Sequence, residues 1–225
     1  MSLLDLDFSV VWEYGPALLY GLLVNLALTA LGFLAGGVVL GTVLALASLS
    51  HRRAIRWPAF AFVEFWRSTP LLVQAIWVHF ALPALTGIST SAFGSALLAL
   101  VLNVAAYCCE IIRAGIQGVP KGQFEAARAL ALSRQVMWRK VVLPQALRLV
   151  VPPLVSSVIS IFKATAILSV LSVDDLTRVA QRVSSYTYQP IEIYTAAAVL
   201  YFLCGSVVAW TGWRVERSFA AQGAR

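Results

Sequence analysis

From Ala17 to Leu49 the chain runs for 33 residues without a charged side chain. Where no water can reach the backbone, amides and carbonyls must satisfy one another, and within a single segment only a helix does this. A helix of that length would measure about 50 Å, longer than a hydrocarbon core of about 30 Å, so it must tilt or protrude. Four further apolar runs lie between Trp57 and Leu85, Ser95 and Ile112, Leu149 and Leu171, and Ile191 and Trp213. With 60% of residues hydrophobic and only 12% charged, a soluble domain is excluded. The expectation is an all-α, multi-pass membrane protein with five transmembrane helices in one domain.

The N-terminal residues carry Asp5, Asp7 and Glu13 with no basic cluster, the wrong charge for a cleavable secretion signal, so the chain is expected to insert as it stands. Orientation follows from lysine and arginine, which collect in cytoplasmic segments next to spans. With the N-terminus outside and the C-terminus inside, the inner segments hold Arg52, Arg53, Arg56, Arg113, Lys121, Arg128, Arg134, Arg139, Lys140, Arg148, Arg214, Arg217 and Arg225, and the outer segments only Arg178 and Arg182. This distribution explains the net charge of +7 through anionic lipid headgroups, and calls for no nucleic acid. The expected division is an external segment at 1–16, a transmembrane domain at 17–213 with a cytoplasmic loop at about 114–147, and a cytoplasmic tail at 214–225.

Ionisable and polar residues at membrane depth are the functional candidates, because placing them there is costly. Glu64 and Arg67, and likewise Glu110 and Arg113, stand three apart and are expected to form structural ion pairs. Thr69-Pro70 reads as an N-cap followed by proline at the first helical position, making Trp57 to Arg67 a juxtamembrane helix and starting the second span at Pro70. Gln74 and Asn103 either line a translocation path or hydrogen-bond across helices. Lys163, deep in the fourth span, either faces the path or snorkels outward. Gly32, Gly36, Gly37 and Gly41 form overlapping G-x-x-x-G pairs that predict close helix packing. Cys108, Cys109 and Cys204 sit in apolar runs as small buried side chains, and His51 and His79 are isolated, so no metal site is expected.

The third and fourth spans are separated by GVPKGQFEAARALALSRQVMWRKVVLPQALR, which is basic and amphipathic. Gly118 and Pro120 break the preceding helix, a short helix starts near Pro120, Ser133 caps the next segment, and Pro144 limits its extent. Phe124, Ala127, Leu130 and Ala131 share one face of the short helix, with Glu125 and Arg128 on another. By periodicity alone this is equally a surface helix with an internal ion pair or a docking helix anchored by Phe124.

Glu125-Ala126-Ala127, followed at the right interval by Leu143-Pro144, resembles the cytoplasmic signature of permease subunits in ATP-binding-cassette importers. VEFWRSTPLLVQ (Val63 to Gln74), AYCCEIIRAGIQGVPKGQFEAARAL (Ala106 to Leu130), LPQALRLVVPPLVSSVISIFKAT (Leu143 to Thr165) and the segment ending at Gln181 are similar to the polar amino acid uptake class, the histidine/glutamine-type inner-membrane permeases. The resemblance covers roughly Leu18 to Trp213. It implies the type I importer transmembrane fold in the cell's inner (cytoplasmic) membrane and import of a polar L-amino acid or close derivative by alternating access. It further implies coupling to an ATPase subunit through Phe124, Glu125, Ala126, Ala127, Arg128, Ala131, Leu143 and Pro144. The chain departs from the signature at Ala131, usually glycine, and at Val141, usually isoleucine. Alanine suits a helical position and is strained where a positive φ is required.

No G-x-x-x-x-G-K-[ST] phosphate loop occurs in the chain, nor any clustered catalytic set. No enzyme activity or cofactor is therefore expected on this chain. The resemblance places ATP and magnesium on a separate ATPase subunit, and implies as further partners a second permease subunit, copy or homologue, and an external solute-binding protein docking on outer loops that include Ser172 to Pro190. The competing reading is an ion-coupled secondary carrier or channel, which commonly shows repeated halves that are absent here.

Overall fold

The computed structural model describes residues 6–221; Asp5 and Arg225, counted above, lie outside the described residues. The helices are α1 Ser9–Glu13, α2 Gly15–Ser48, α3 Arg53–Ser68, α4 Leu71–Thr86, α5 Ala92–Gln117, α6 Lys121–Ala129, α7 Arg134–Leu171, α8 Leu176–Thr187 and α9 Pro190–Ala221. Among the described residues there is no strand. Four of these helices, α2, α5, α7 and α9, are long and apolar enough to cross a bilayer singly. Helices α3 and α4, which meet at a bend of 106°, make a fifth candidate span if the bent pair is taken as one.

The break expected between the 57–67 segment and a helix starting near Pro70 is observed, but the capping chemistry differs. Thr69 does not cap α4. Its hydroxyl donates back to the Phe65 carbonyl at 2.9 Å, and Pro70 occupies the N-cap position in an extended conformation. Gln74 holds the corner instead: its amide nitrogen donates to the Trp66 carbonyl at 2.8 Å, the Thr69 carbonyl at 3.0 Å and the Thr69 hydroxyl at 2.6 Å. These carbonyls end a helix at membrane depth, where unpaired backbone oxygens are costly.

Helix α5 is the axis of the bundle. Its small residues Ala96, Ala99, Ala105 and Ala106 are fully buried. Against them runs the glycine stretch of α2, which widens into a π-helical segment at Gly32–Leu40. A β-carbon at Gly36 would stand 2.5 Å from the Val101 carbonyl oxygen. The G-x-x-x-G pairs therefore serve packing inside the subunit. Since lipid tails are as apolar as leucine, such backbone approach stabilises the pair through dispersion rather than water exclusion.

Pro144 does not end the segment it was expected to limit. Helix α7 continues through Pro144, Pro152 and Pro153. A π-helical stretch at Met137–Val142 precedes Pro144, and this local widening accommodates a ring that would clash in a regular α-helix. Ser133 caps α7, accepting from the Val136 amide at 3.4 Å.

At one end of the bundle, α8 packs through Leu176, Val179, Ala180 and Val183 onto Leu18 of α2 and Ile193 of α9. Beneath it Asn25 is completely buried and fully bonded. Its Nδ2 donates to Thr165 Oγ1 at 2.8 Å and Asp175 Oδ2 at 3.3 Å, while its Oδ1 accepts from the Leu176 amide at 2.9 Å and the Tyr201 hydroxyl at 3.3 Å. One side chain ties α2, α7, α8 and α9 together.

Candidate functional site

Two sites are built on this frame. The first is the loop between α5 and α7. Its short helix α6 begins after Pro120, which stands at the N-cap, and rests on the core through Phe124 and the buried Ala127. Phe124 packs edge-on against Trp138 of α7 with centroids 6.4 Å apart, beside Val119, Val142 and Ala146. Gln145 Nε2 adds a bond to Gln123 Oε1 at 3.2 Å. The opposite face, carrying Glu125, Ala126 and Arg128, is exposed, and Leu143 and Pro144 of α7 are exposed as well. Glu125 and Arg128 make no ion pair among the described residues.

The expected shared face of Phe124, Ala127, Leu130 and Ala131 holds only for the first two. The helix ends at Ala129, and Leu130 is 72% exposed. The reason is the end of the helix: Ala131 adopts φ +50°. The Ala131 amide donates to the Arg128 carbonyl at 2.9 Å and the Leu132 amide to the Ala127 carbonyl at 3.1 Å. That pair of bonds is a Schellman motif, whose left-handed position normally carries glycine. Ala131 therefore sits where its β-carbon costs about 1–2 kcal/mol.

The second site is a cavity of about 400 Å³ between α3, α5 and α7, lined by Arg67, Asn103, Tyr107, Glu110, Ser157 and Ser160 together with apolar neighbours. Asn103, Tyr107 and Glu110 follow i, i+4, i+7 spacing on α5, and Ser157 and Ser160 share a face of α7. Glu110 is held by Arg113 in a bidentate pair at 2.9 and 2.6 Å. Arg67 does not pair with Glu64, as its spacing suggests. It reaches instead to Glu110 at 3.8 Å and lies 5.7 Å from the centre of the Tyr107 ring. The 106° corner turns Arg67 inward and leaves Glu64 exposed and without an ion-pair partner among the described residues. Two guanidinium groups thus share one carboxylate, leaving a net positive cavity with hydroxyl and amide groups around it.

Gln74 and Asn103 meet across helices, with Asn103 Nδ2 donating to Gln74 Oε1 at 2.9 Å. Gln74 is buried, and only Asn103 also lines the cavity. Lys163 lies outside it, exposed in a shallow groove beside Phe162, Ala166, Tyr201 and Gly205. Tyr107, Ser157, Ser160 and the Arg67–Glu110 contact were not singled out from the sequence. The helical spacing within α5 and α7 was the available signal. Among the described residues no three His, Cys, Asp or Glu side chains gather as metal ligands.

Residues 37–219 match the family described as binding-protein-dependent transport system inner membrane component. The chain is 36% identical over 214 residues to the arginine transport system permease protein ArtQ of Bacillus subtilis, covering 95% of this chain and 97% of the relative. It is 35% identical over 215 residues to the glutamine transport system permease protein GlnP of Escherichia coli, covering 95% and 98%. A solved amino acid ABC transporter crystallised with histidines superposes with TM-score 0.89 at 36% identity, covering 96% of this chain and all of that one. A subunit of the MetNI methionine transporter shares the fold, with TM-score 0.74 at 21% identity. The chain belongs to the family of inner membrane components of binding-protein-dependent transport systems, the permeases of ATP-binding-cassette importers.

Proposed function

We propose that this chain carries polar amino acids inward as one permease of an ATP-driven importer in the cytoplasmic membrane, with the N-terminus outside and α6 in the cytoplasm. The observation that carries this reading is α6 itself, a helix pinned on one side by Phe124 and Ala127 and bare on the other, with charges at Glu125 and Arg128 that make no ion pair among the described residues. A separate ATPase subunit binds that bare face, and Phe124 against Trp138 passes its movement to α7 as a rigid-body displacement. Substrate arrives from an external binding protein seated on the outer loops around α8. A second permease, copy or homologue, covers the exposed apolar faces.

The amino acid substrate class is supported by the relatives, named for arginine and glutamine transport, and by the chemistry of the cavity. Arg67, engaged with Glu110 only at 3.8 Å, can turn to an α-carboxylate. Glu110 is the counter-charge for an α-ammonium, and Ser157, Ser160 and Asn103 supply hydrogen bonds. The decisive experiment is reconstitution: uptake into vesicles should require ATP, an ATPase subunit and a binding protein. Uptake by this chain alone, driven by an ion gradient, would instead establish the secondary carrier.

A further inference from the structure

A second polar cavity, of about 550 Å³, opens at the end of the bundle where α2 finishes, α3 starts and α5 ends. Its lining includes Ser50, His51, Arg56, Glu110, Arg113 and Gln117, with Leu49, Trp57 and Phe60 as apolar neighbours. Charge is unevenly distributed within it. Arg113 is consumed by Glu110 at 2.6 Å and by Gln117 at 3.0 Å, so the inner wall is neutral. Arg56 is therefore the cation of the cavity lining that has no carboxylate partner among the described residues, with Arg52 and Arg53 just before it in sequence.

The helix that carries them has the form of an interfacial segment. It meets α4 at a bend of 106°, buries Ala59 and Val63, and exposes Ile55, Trp57, Phe60 and Phe65. Trp57 and Phe60 stack edge-to-face at 6.3 Å. Aromatic rings and arginines interleaved on one helix are the pattern of a segment held at headgroup depth. A cavity there with the Arg56 guanidinium beside exposed Trp57 and Phe60 matches a phosphodiester attached to acyl chains. Basic clefts between spans on the cytoplasmic side take lipid headgroups of this charge.

We propose that this cavity seats an anionic phospholipid of the cytoplasmic leaflet, its phosphate on Arg56 and the neighbouring Ser50 and His51, its glycerol and upper acyl carbons along Trp57 and Phe60. The proposal rests on the orientation stated under Proposed function. The occupied site fixes α3, and through α3 the corner at Arg67 that closes one wall of the translocation cavity.

The test uses the assembled transporter in nanodiscs, with spin-labelled phosphatidylglycerol or phosphatidylcholine as probe. The wild-type complex should prefer phosphatidylglycerol, and Arg56→Gln should lower that preference about fivefold, with a further loss of similar size for Arg53→Gln in the same chain. Co-purification of the ATPase subunit reports that the variants assemble. An unchanged preference in the double variant would overturn the proposal. So would displacement of the probe by millimolar inorganic phosphate, which would mark a soluble-anion site, or cross-linking of Trp57→Cys to the ATPase subunit, which would mark a protein interface. Orientation is read separately, by labelling Ser50→Cys with a membrane-impermeant maleimide in sealed vesicles against the unsubstituted chain. Labelling from the external face alone would overturn the leaflet assignment while the lipid preference stands or falls on its own measurement.

Discussion

Asn25 on α2 and Asp175 at the N-cap of α8 share a hydrogen bond of 3.3 Å inside the protein, 150 positions apart in sequence. The carboxylate of Asp175 is fully covered, and its burial pushes its pKa up to about 6, a rise opposed by the bond it accepts from the Arg178 amide. The charged groups nearest to it are Asp174, which pairs with Arg182 at 2.7 Å, and Arg178, whose guanidinium reaches Ser172 at 3.5 Å. Neither neutralises Asp175 directly.

Folding therefore favours the protonated acid, and the sign is fixed. The contribution of Asp175 to stability is greatest below its unfolded pKa of 3.8 and falls as pH rises toward about 6, by at most about 1.4 kcal/mol per pH unit. Asparagine caps a helix as well as aspartate does. Asp175→Asn should flatten this decline, giving a variant more stable than wild type at pH 7.5 and comparable at pH 4. Thermal unfolding of the purified protein against pH checks it, and parallel curves would remove Asp175 from the pH response.

Removing the centre of the same network should be costly. Asn25→Ala leaves the Leu176 amide without its acceptor and removes one bond each from Thr165, which keeps the Phe162 carbonyl, and Tyr201, which keeps the Thr177 hydroxyl. A loss of about 1–3 kcal/mol is expected for each buried group left unpaired. The loss should appear first as protease sensitivity at α8, because that helix is held to the spans by this contact and by one apolar face.

Ala131 stores strain that glycine would release. Ala131→Gly should stabilise the α6 connection by about 1 kcal/mol, seen as slower limited proteolysis between α6 and α7. Ala131→Val should do the reverse. No gain with glycine would show that the backbone there relaxes out of the left-handed region.

Charge reversal at Glu125 addresses coupling. The side chain is exposed and makes no ion pair among the described residues, so Glu125→Arg should insert and fold normally while binding the ATPase subunit about tenfold more weakly, equivalent to about 1.4 kcal/mol. Unchanged co-purification would leave α6 as an ordinary surface helix.

The two cationic candidates separate in a transport assay. Arg67→Met removes the guanidinium from the cavity wall and should depress uptake at least tenfold with assembly preserved. Lys163→Met alters only the groove beside Tyr201 and should change uptake less than twofold, an exposed lysine outside the cavity being free to extend away from it. Equal losses in both would place the path along the α7–α9 groove.

The sequence by itself determined what lies along each helix: the uncharged run of α2, the break near Thr69-Pro70, the cap at Ser133 and the signature from Glu125 to Pro144 that marks the family. Each is a local property, set by hydropathy, φ preference or hydrogen bonding within a few residues. Only the tertiary structure decided what meets across helices. Glu64 and Arg67 have the spacing of a pair, yet the corner before α4 hands Arg67 to Glu110. Lys163 lies within the fourth span, yet the rotation of α7 turns it away from Ser157 and Ser160. Pro144 should stop a helix, yet the π-helical turn before it absorbs the ring. At Ala131 a small residue that reads as helical is forced to φ +50° because the chain must leave α6 and enter α7 at an angle. Periodicity fixes which residues share a face of one helix. The rotation and crossing of its neighbours fix what that face touches, and those depend on contacts between residues far apart in the chain.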